Sequence, residues 1–258
     1  MLETMKLNAM RAAGALALAM LAGCASVPQV DPPAVAVERS AWAGRAADVA
    51  AGSRWQHYKL PGKQATQFEY ARKDGRDTLA VKAESSASML RRKVRMLPAE
   101  LGNVRFSWKV PELIAHADMA TRDADDSPVR VILAFEGDRA RLSAKNSMLS
   151  ELALALTGEE MPYATLMYVW CNKREPGSVI TSARTDRVRT IVVESGPKKL
   201  DQWLDYERNI NADFQRAFGE APGALVGIAI MTDSDNTRST ARAWYGPVSL
   251  GPALASRR

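Results

Sequence analysis

Short segments in which apolar and polar residues alternate constrain the fold of this chain more than any other feature. In residues 104–110, Val104, Phe106, Trp108 and Val110 share one face of an extended chain, with polar or charged residues between them. Because strand side chains point alternately to the two faces of a sheet, this pattern predicts a β-strand with one buried face. Comparable segments recur at residues 54–60, 66–72, 78–84, 129–135, 164–170, 187–194, 225–231 and 240–250. The chain is therefore predicted to be mostly β.

Two segments depart from this alternation and have helical spacing. Residues 143–156 carry apolar side chains three and four positions apart, and in residues 203–218 apolar side chains recur at every fourth position. Gly219 directly follows the second segment, as a helix-ending glycine does. Both apolar stripes are predicted to pack on the core. Many strands with two isolated helices favour a jelly-roll-like β-sandwich with two accessory α-helices, although alternation alone leaves a closed barrel open.

The N-terminus has the layout of an export signal. Two basic residues precede an apolar run at residues 12–22, which is shorter than the roughly 20 residues that span a bilayer as a helix. The sequence Leu-Ala-Gly-Cys at residues 21–24 follows this run and resembles the lipobox of bacterial lipoproteins. That resemblance implies removal of residues 1–23, acylation of Cys24 and a lipid anchor in the membrane. Ala25, in place of aspartate, implies sorting to the outer membrane with the domain facing the periplasm.

The remainder of the chain is predicted to form a tether and one domain. Residues 24–40 contain three prolines and no apolar periodicity, which is typical of an extended linker. Residues 41–258 are long enough for a single sandwich domain. The formal net charge of +6 favours contact with anionic surfaces of the cell envelope. Nucleic acid is not an expected partner, because the basic run at residues 91–93 has no interleaved aromatic residue for base stacking.

An aspartate-rich loop near the C-terminus is the sharpest local candidate for a site. Asp233, Asp235 and Asn236 offer hard oxygen atoms at close spacing, which is the ligand type that Ca²⁺ prefers. An EF-hand loop is excluded, because Arg238 and Trp244 occupy the positions of its glycine and glutamate. The alternative is a turn in which these side chains cap backbone N–H groups. Calcium is accordingly the one cofactor that the sequence suggests.

Charged residues around a predicted strand suggest a second kind of site. Asp125 and Asp126 precede the strand that carries Arg130, so one of these carboxylates can pair with the guanidinium. Alternatively, Arg130 and Arg242 line a cleft for an acidic sugar, since guanidinium groups bind carboxylates through two hydrogen bonds. Both interpretations stay open, because one sequence does not show which strands share a sheet face.

Aromatic side chains give a parallel prediction. Tyr168 and Trp170 share one face of a predicted strand, and Trp244 lies on the last long strand together with Arg242. Flat rings beside polar groups suit the binding of sugars, whereas the same residue types also fill sandwich cores. These four residues and Arg130 are the predicted ligand-binding set, with core packing as the alternative for the three rings.

No short catalytic motif directs the prediction towards an enzyme. The chain contains two histidines, and it has no nucleophile elbow, metalloprotease helix or phosphate-binding loop. A binding protein for a saccharide or another component of the cell envelope is therefore expected. Two alternatives stay open, namely a glycan lyase or hydrolase whose residues leave no short motif, and a structural envelope protein with a protein partner.

The C-terminal part of the chain resembles a known bacterial family. The runs Met-Thr-Asp-Ser-Asp-Asn-Thr at residues 231–237 and Ala-Trp-Tyr-Gly at residues 243–246 carry most of the similarity. Further matching residues lie between positions 192 and 222. They resemble the family called domain of unknown function 3047, over roughly residues 54–250, and this family name implies no activity. The layout, with an Asp/Asn loop before an aromatic strand, is also similar to jelly-roll carbohydrate-binding modules at the level of fold.

Overall fold

The computed structural model describes residues 55–251, and the predicted signal, the tether and Cys24 lie outside this range. The strands within it are β1 Gln56–Lys59, β2 Gln67–Lys73, β3 Arg76–Glu84, β4 Ala87–Met96, β5 Asn103–Lys109, β6 Ser127–Phe135, β7 Ala164–Cys171, β8 Val179–Thr181, β9 Val188–Ser195, β10 Trp203–Asn209, β11 Leu225–Asp233, β12 Thr240–Tyr245 and β13 Ser249–Leu250. The helices are α1 Ala144–Thr157 and α2 Ile210–Phe218. Neither helix in this range has the length and apolar composition needed to cross a bilayer.

The strands form two sheets that pack face to face as a jelly-roll sandwich. One sheet has seven strands in the order β1-β4-β11-β6-β7-β9-β8, and the other has the order β10-β5-β12-β3-β2, with β13 added to β5. The paired strands are antiparallel except for β7 and β9, which run parallel. The predicted fold class, a mostly β sandwich with two accessory helices, is confirmed.

The core lies between the two sheets and contains large aromatic side chains. Trp108 of β5, Phe135 of β6 and Tyr245 of β12 are completely shielded from solvent. Phe214 of α2 contacts Phe135 with 4.7 Å between the ring centroids, so α2 packs on this core. The alternation in residues 104–110 is also confirmed, because its four apolar side chains are all buried.

Residues 203–218 form a strand followed by a helix, so the predicted continuous helix is wrong in its first half. β10 pairs with β5 along its whole length, which gives its backbone groups hydrogen-bond partners in the sheet. Asn209 then begins α2, because its side-chain oxygen accepts a hydrogen bond from the N–H of Ala212. Gly219 ends the helix as predicted, with a left-handed φ of 71°.

Candidate functional site

A groove runs across the outer face of the seven-stranded sheet. It encloses about 880 Å³, and side chains of β1, β4, β11, β6 and β7 line its base while α1 forms one wall. Strand register defines its two ends, because Arg130 lies opposite Met231 whereas Ala134 lies opposite Gly227. These positions on β6 are about 13 Å apart along the strand.

The base of the groove is apolar. Strand pairing places Ile132 of β6 between Ala229 of β11 and Met167 of β7. A cluster that is separate from the main core forms here, and we call its members the groove floor: Leu60, Ala87, Met89, Ile132, Met167, Ala229 and Met231. The outer face of this sheet is therefore hydrophobic at its centre, where a sandwich usually presents polar residues.

The apolar side chains of α1 face the groove and the solvent. Leu149, Leu152 and Leu156 line the groove, and the last two are 54% and 63% exposed. The prediction that this stripe packs on the core is wrong. The helix instead docks through buried polar residues: Asn146 hydrogen-bonds to Asp186 and Thr185, and Ser150 accepts a hydrogen bond from Arg139.

Towards the end of the groove at Gly227, which pairs with Lys93, two cations share one carboxylate. Arg91 donates to both oxygens of Glu159 at 2.5 and 2.8 Å, and Lys93 donates to the same carboxylate at 3.1 Å. These hydrogen bonds, that from Arg91 above all, lower the pKa of Glu159 to about 2. The guanidinium of Arg91 also covers the ring of Tyr58, 4.0 Å from its centroid. The three charged groups together carry one unbalanced positive charge.

The opposite end is built around Arg130, which is 4% exposed. Its Nε and Nη2 donate to the two oxygens of Asp233 at 2.9 and 3.1 Å, and Nη2 also donates to Asp125 at 2.9 Å. The predicted pairing of Arg130 with a loop aspartate is therefore present, and Asp233 adds a second partner. Burial opposes the charge of Arg130, but the two carboxylates reverse this effect and raise its pKa. Complete burial raises the pKa of Asp233 to about 6, although Arg130 acts in the opposite direction.

Asp233 and Asp235, the two aspartates that suggested calcium, come close together at this end, and Asp126 joins them. Asp126, Asp233 and Asp235 have carboxylate oxygens within 4.8 Å of one another, and oxygen donors of this kind fit a hard cation. Two of these carboxylates already have partners in the protein. Asp235 forms an ion pair with Lys63, and Asp126 accepts hydrogen bonds from the backbone N–H groups of Asn236 and Thr237. The capping alternative concerns Asp233, Asp235 and Asn236, and of these Asp233 accepts a hydrogen bond from the backbone N–H of Ser127 at 3.0 Å. Calcium stays a prediction, and an ion bound here would compete with Lys63.

Tyr168 and Trp170 do not line the groove, which corrects the expectation that they contact a ligand. Both side chains are completely buried between the sheets. The hydroxyl of Tyr168 donates to Asp213 at 2.9 Å, and Nε1 of Trp170 donates to the carbonyl of Gly196 at 3.0 Å. Because side chains alternate along β7, its groove-facing side belongs to Met167 instead.

Arg242 and Trp244 lie on the outer face of the other sheet, so no cleft unites them with the groove. Arg242 is exposed and Trp244 is half-buried on β12. Lys73 covers the ring of Trp244 at 4.7 Å, and Arg76 covers a second half-buried tryptophan, Trp203, at 5.0 Å. Cations therefore occupy the ring faces that a sugar would need. The expected cleft fails because β6 and β12 belong to opposite sheets.

The floor residues are absent from the candidates drawn from the sequence, although the sequence contains a signal for them. In residues 129–135 and 225–231 the positions between the core-facing residues are also mostly apolar, and Arg130 is the charged exception. Strands of this kind are covered on both faces. In a two-layer sandwich one of those faces packs against no second sheet, so the pattern indicates an apolar surface outside the core between the sheets.

A jelly-roll sandwich with an open groove on one sheet is the class that the fold and the site define. Within this class, the family model described as "Protein of unknown function (DUF3047)" matches residues 53–249, and the chain belongs to this family. The expected family is thus confirmed. No curated protein matches the chain.

Several solved structures are similar to this chain. One is the family 11 carbohydrate-binding module of the cellulase Lic26A-Cel5E of Clostridium thermocellum, with 9% identity, a TM-score of 0.39, and coverage of 82% of this chain and 94% of the module. The xyloglucanase domain of NopAA from Sinorhizobium fredii has 8% identity, a TM-score of 0.40, and coverage of 77% and 92%. The endo-1,4-β-glucanase CelB2 has 10% identity, a TM-score of 0.41, and coverage of 78% and 97%. At these identities the similarity concerns the fold alone.

Proposed function

We propose that this protein is an outer-membrane lipoprotein whose domain faces the periplasm and binds a saccharide or another component of the cell envelope in the groove. The observation that carries the proposal is the groove itself. A cavity of about 880 Å³ with an apolar base and charged ends has the size and lining that are typical of ligand sites.

The two ends of the groove differ in how readily they can contact a ligand. Around Arg130 the charges are buried and paired, which fixes their geometry. The side chains of Arg91, Lys93 and Glu159 are 24%, 63% and 38% exposed, so their ion pairs can exchange partners at small cost. A ligand that contacts the apolar base can therefore place a polar group at this end.

The membrane part of the proposal depends on Cys24. Cys24→Ser should release the protein from the membrane fraction or leave the signal uncleaved, as measured by fractionation and by the mass of the chain. Cys171→Ser is the matched control, because this second cysteine is buried in the sandwich and has no role in anchoring. Unchanged fractionation and mass in Cys24→Ser would refute the anchor.

The groove is tested by filling it. Ala134 on β6 is half-buried and lines the groove, whereas Ala80 on β3 is half-buried in the other sheet. Thermal unfolding of the full chain is measured with peptidoglycan fragments, lipopolysaccharide and phospholipid micelles. A ligand at 100 times its Kd stabilises the fold by about 2.7 kcal/mol. We expect this stabilisation with at least one probe, lost in Ala134→Trp and kept in Ala80→Trp. Stabilisation that survives Ala134→Trp would place the ligand elsewhere.

A further inference from the structure

We infer that the groove holds the acyl chain of an anionic membrane lipid, an inference that rests on the proposed function and names the ligand class of the same site. The first argument is the chemistry of the groove floor. Three of its seven residues are methionines, Met89, Met167 and Met231, and the others are leucine, isoleucine and alanine. Unbranched thioether side chains adapt their shape to flexible apolar ligands. An aliphatic chain is such a ligand.

A saccharide would find few partners on this floor. Polar ligands are oriented by convergent hydrogen-bonding groups, and sugar rings also stack on aromatic rings. The groove floor presents hydrophobic side chains alone, and the polar side chains of the groove, such as Thr165 and Arg184, lie around it. Among the described residues that line the groove, Tyr58 is the one aromatic residue, and Arg91 already covers its ring. An acyl chain needs neither kind of partner.

α1 supplies a second aliphatic surface to the same groove. Of the six large apolar side chains that are exposed in the described chain, four lie on α1: Met148, Leu152, Leu154 and Leu156. Exposed apolar surface that is concentrated in this way marks an interaction site. Leu152 and Leu156 line the groove, so an acyl chain lying between α1 and the groove floor would remove these two side chains and the floor from water.

The charge at one end of the groove complements an anionic headgroup. Arg91 and Lys93 share the single carboxylate of Glu159, so one positive charge is unbalanced there. A phosphate would form charge-assisted hydrogen bonds with both cations. Arg130 at the other end is paired with two carboxylates, Asp125 and Asp233, so this cation leaves no positive charge for a headgroup. The headgroup is therefore assigned to the Arg91 end.

The polypeptide segment that precedes the described residues is long enough for the groove to reach a bilayer. Residues 25–54 separate the predicted anchor, Cys24, from Trp55, which directly precedes β1. Tyr58 of β1 lines the groove, so the chain enters the domain at the edge of the groove. A fully extended segment of this length spans about 100 Å. The membrane that holds the predicted anchor is thus within reach as the source of the lipid.

The test uses the full chain with Cys24→Ser, so that the protein carries no acyl chain of its own. Palmitoyl lysophosphatidylglycerol, kept below its critical micelle concentration, is titrated by calorimetry, and one molecule should bind per chain. Glycerophosphoglycerol, which has the same headgroup and no acyl chain, should bind at least about 100-fold more weakly. Palmitoyl lysophosphatidylcholine, whose headgroup is zwitterionic, should bind about fivefold more weakly.

Substitutions separate the site of the acyl chain from the site of the headgroup. Ala134→Trp should weaken binding of the anionic probe at least about tenfold, and Ala80→Trp should leave it unchanged. Leu152→Asp changes an exposed position on α1, so it tests the wall even where the tryptophan disturbs folding. Lys93→Gln should weaken binding about fivefold, and Glu159→Gln should strengthen it by a similar factor, because the phosphate no longer competes with a carboxylate.

The outcomes distinguish the inference from the proposed function. Affinity for the acyl probe that is unchanged in Ala134→Trp and Leu152→Asp would overturn the inference, as would equal affinity for the headgroup alone. Groove-dependent binding of peptidoglycan fragments without binding of the acyl probe would overturn the ligand class and leave the proposed function intact. An absence of binding by every probe would overturn both.

Discussion

Replacing Arg130 with methionine tests the buried ion pair at one end of the groove. Arg130 and Asp233 are 4% and 5% exposed, and two hydrogen bonds of 2.9 and 3.1 Å join them. Methionine keeps the apolar length of the side chain and removes its charge, so Asp233 is left buried without its cation. Breaking a buried pair in this way costs about 3–5 kcal/mol. We expect a loss of that size in the free energy of unfolding at pH 8, measured by urea denaturation.

The loss should depend on pH in a defined direction. Burial raises the pKa of Asp233 from 3.8 to about 6 in the folded protein, and removal of Arg130 raises it further. A carboxyl whose pKa is raised by folding gives stability that is complete below the unfolded pKa and is lost as pH rises through the folded pKa. Above pH 6 the folded variant keeps a proton that the wild type has released. The difference in stability between them therefore grows by about 1.4 kcal/mol per pH unit, until the variant also releases its proton.

Two further variants make this experiment decisive. Arg242→Met is the matched control, because it makes the same substitution at an exposed arginine of the other sheet and should change stability by no more than about 0.5 kcal/mol. The double variant Arg130→Met/Asp233→Leu removes both charges and should recover most of the loss, since apolar replacement of a buried pair is close to neutral. A loss in Arg130→Met below about 1 kcal/mol, or one that is equal at pH 5 and pH 8, would refute the reasoning.

Three other predictions concern separate parts of the molecule. The pKa of Glu159 is lowered from 4.5 to about 2, so its contribution to stability is present above pH 4.5 and lost as pH falls through about 2. Acid-denaturation curves of the wild type and Glu159→Gln should therefore converge at the lowest pH, and a constant separation would contradict this. Phe214→Ala should lower the free energy of unfolding in urea by about 3–5 kcal/mol, because Phe214 is 1% exposed and packs edge-to-face against Phe135, and a loss under about 1 kcal/mol would argue against this packing. Calcium binding at Asp126, Asp233 and Asp235 predicts a rise in unfolding temperature on adding Ca²⁺ that Asp235→Asn abolishes, and an unchanged unfolding temperature would contradict this site.

Alternation predicts most of the strands, and the failures have local causes. The four-residue spacing from Tyr206 to Ile210 fits one continuous helix, yet it crosses from a strand into α2. The periodicity of this segment does not distinguish the two, because hydrogen bonds to β5, a strand far earlier in the chain, decide the outcome. β4 is missed for a different reason, because Arg92 interrupts the apolar set formed by Leu90 and Val94.

The candidate site depends on contacts that local sequence does not contain. Arg130 and Asp233 are separate candidates in the sequence, and they meet across 103 positions because β6 pairs with β11. Tyr168 and Trp170 are misassigned for the converse reason. The pattern shows that they share a face, and the packing of the sheets decides that this face is the core. α1 forms a wall of the groove because its polar residues Asn146 and Ser150 are the ones buried against the domain. The apolar periodicity of the sequence would place these polar residues on the solvent side of the helix.

The groove departs from what folding alone requires of a sandwich. Outer faces of such sheets carry polar residues that alternate with the core positions, as Lys82 and Arg242 do on the other sheet. The corresponding positions of β6 and β11 hold Ile132, Ala229 and Met231. Exposed apolar surface of this kind favours aggregation, and α1 relieves it only in part because the leucines of α1 remain exposed themselves. The acyl chain that we infer would lie between the two apolar walls and shield this surface from water, which the fold itself leaves exposed.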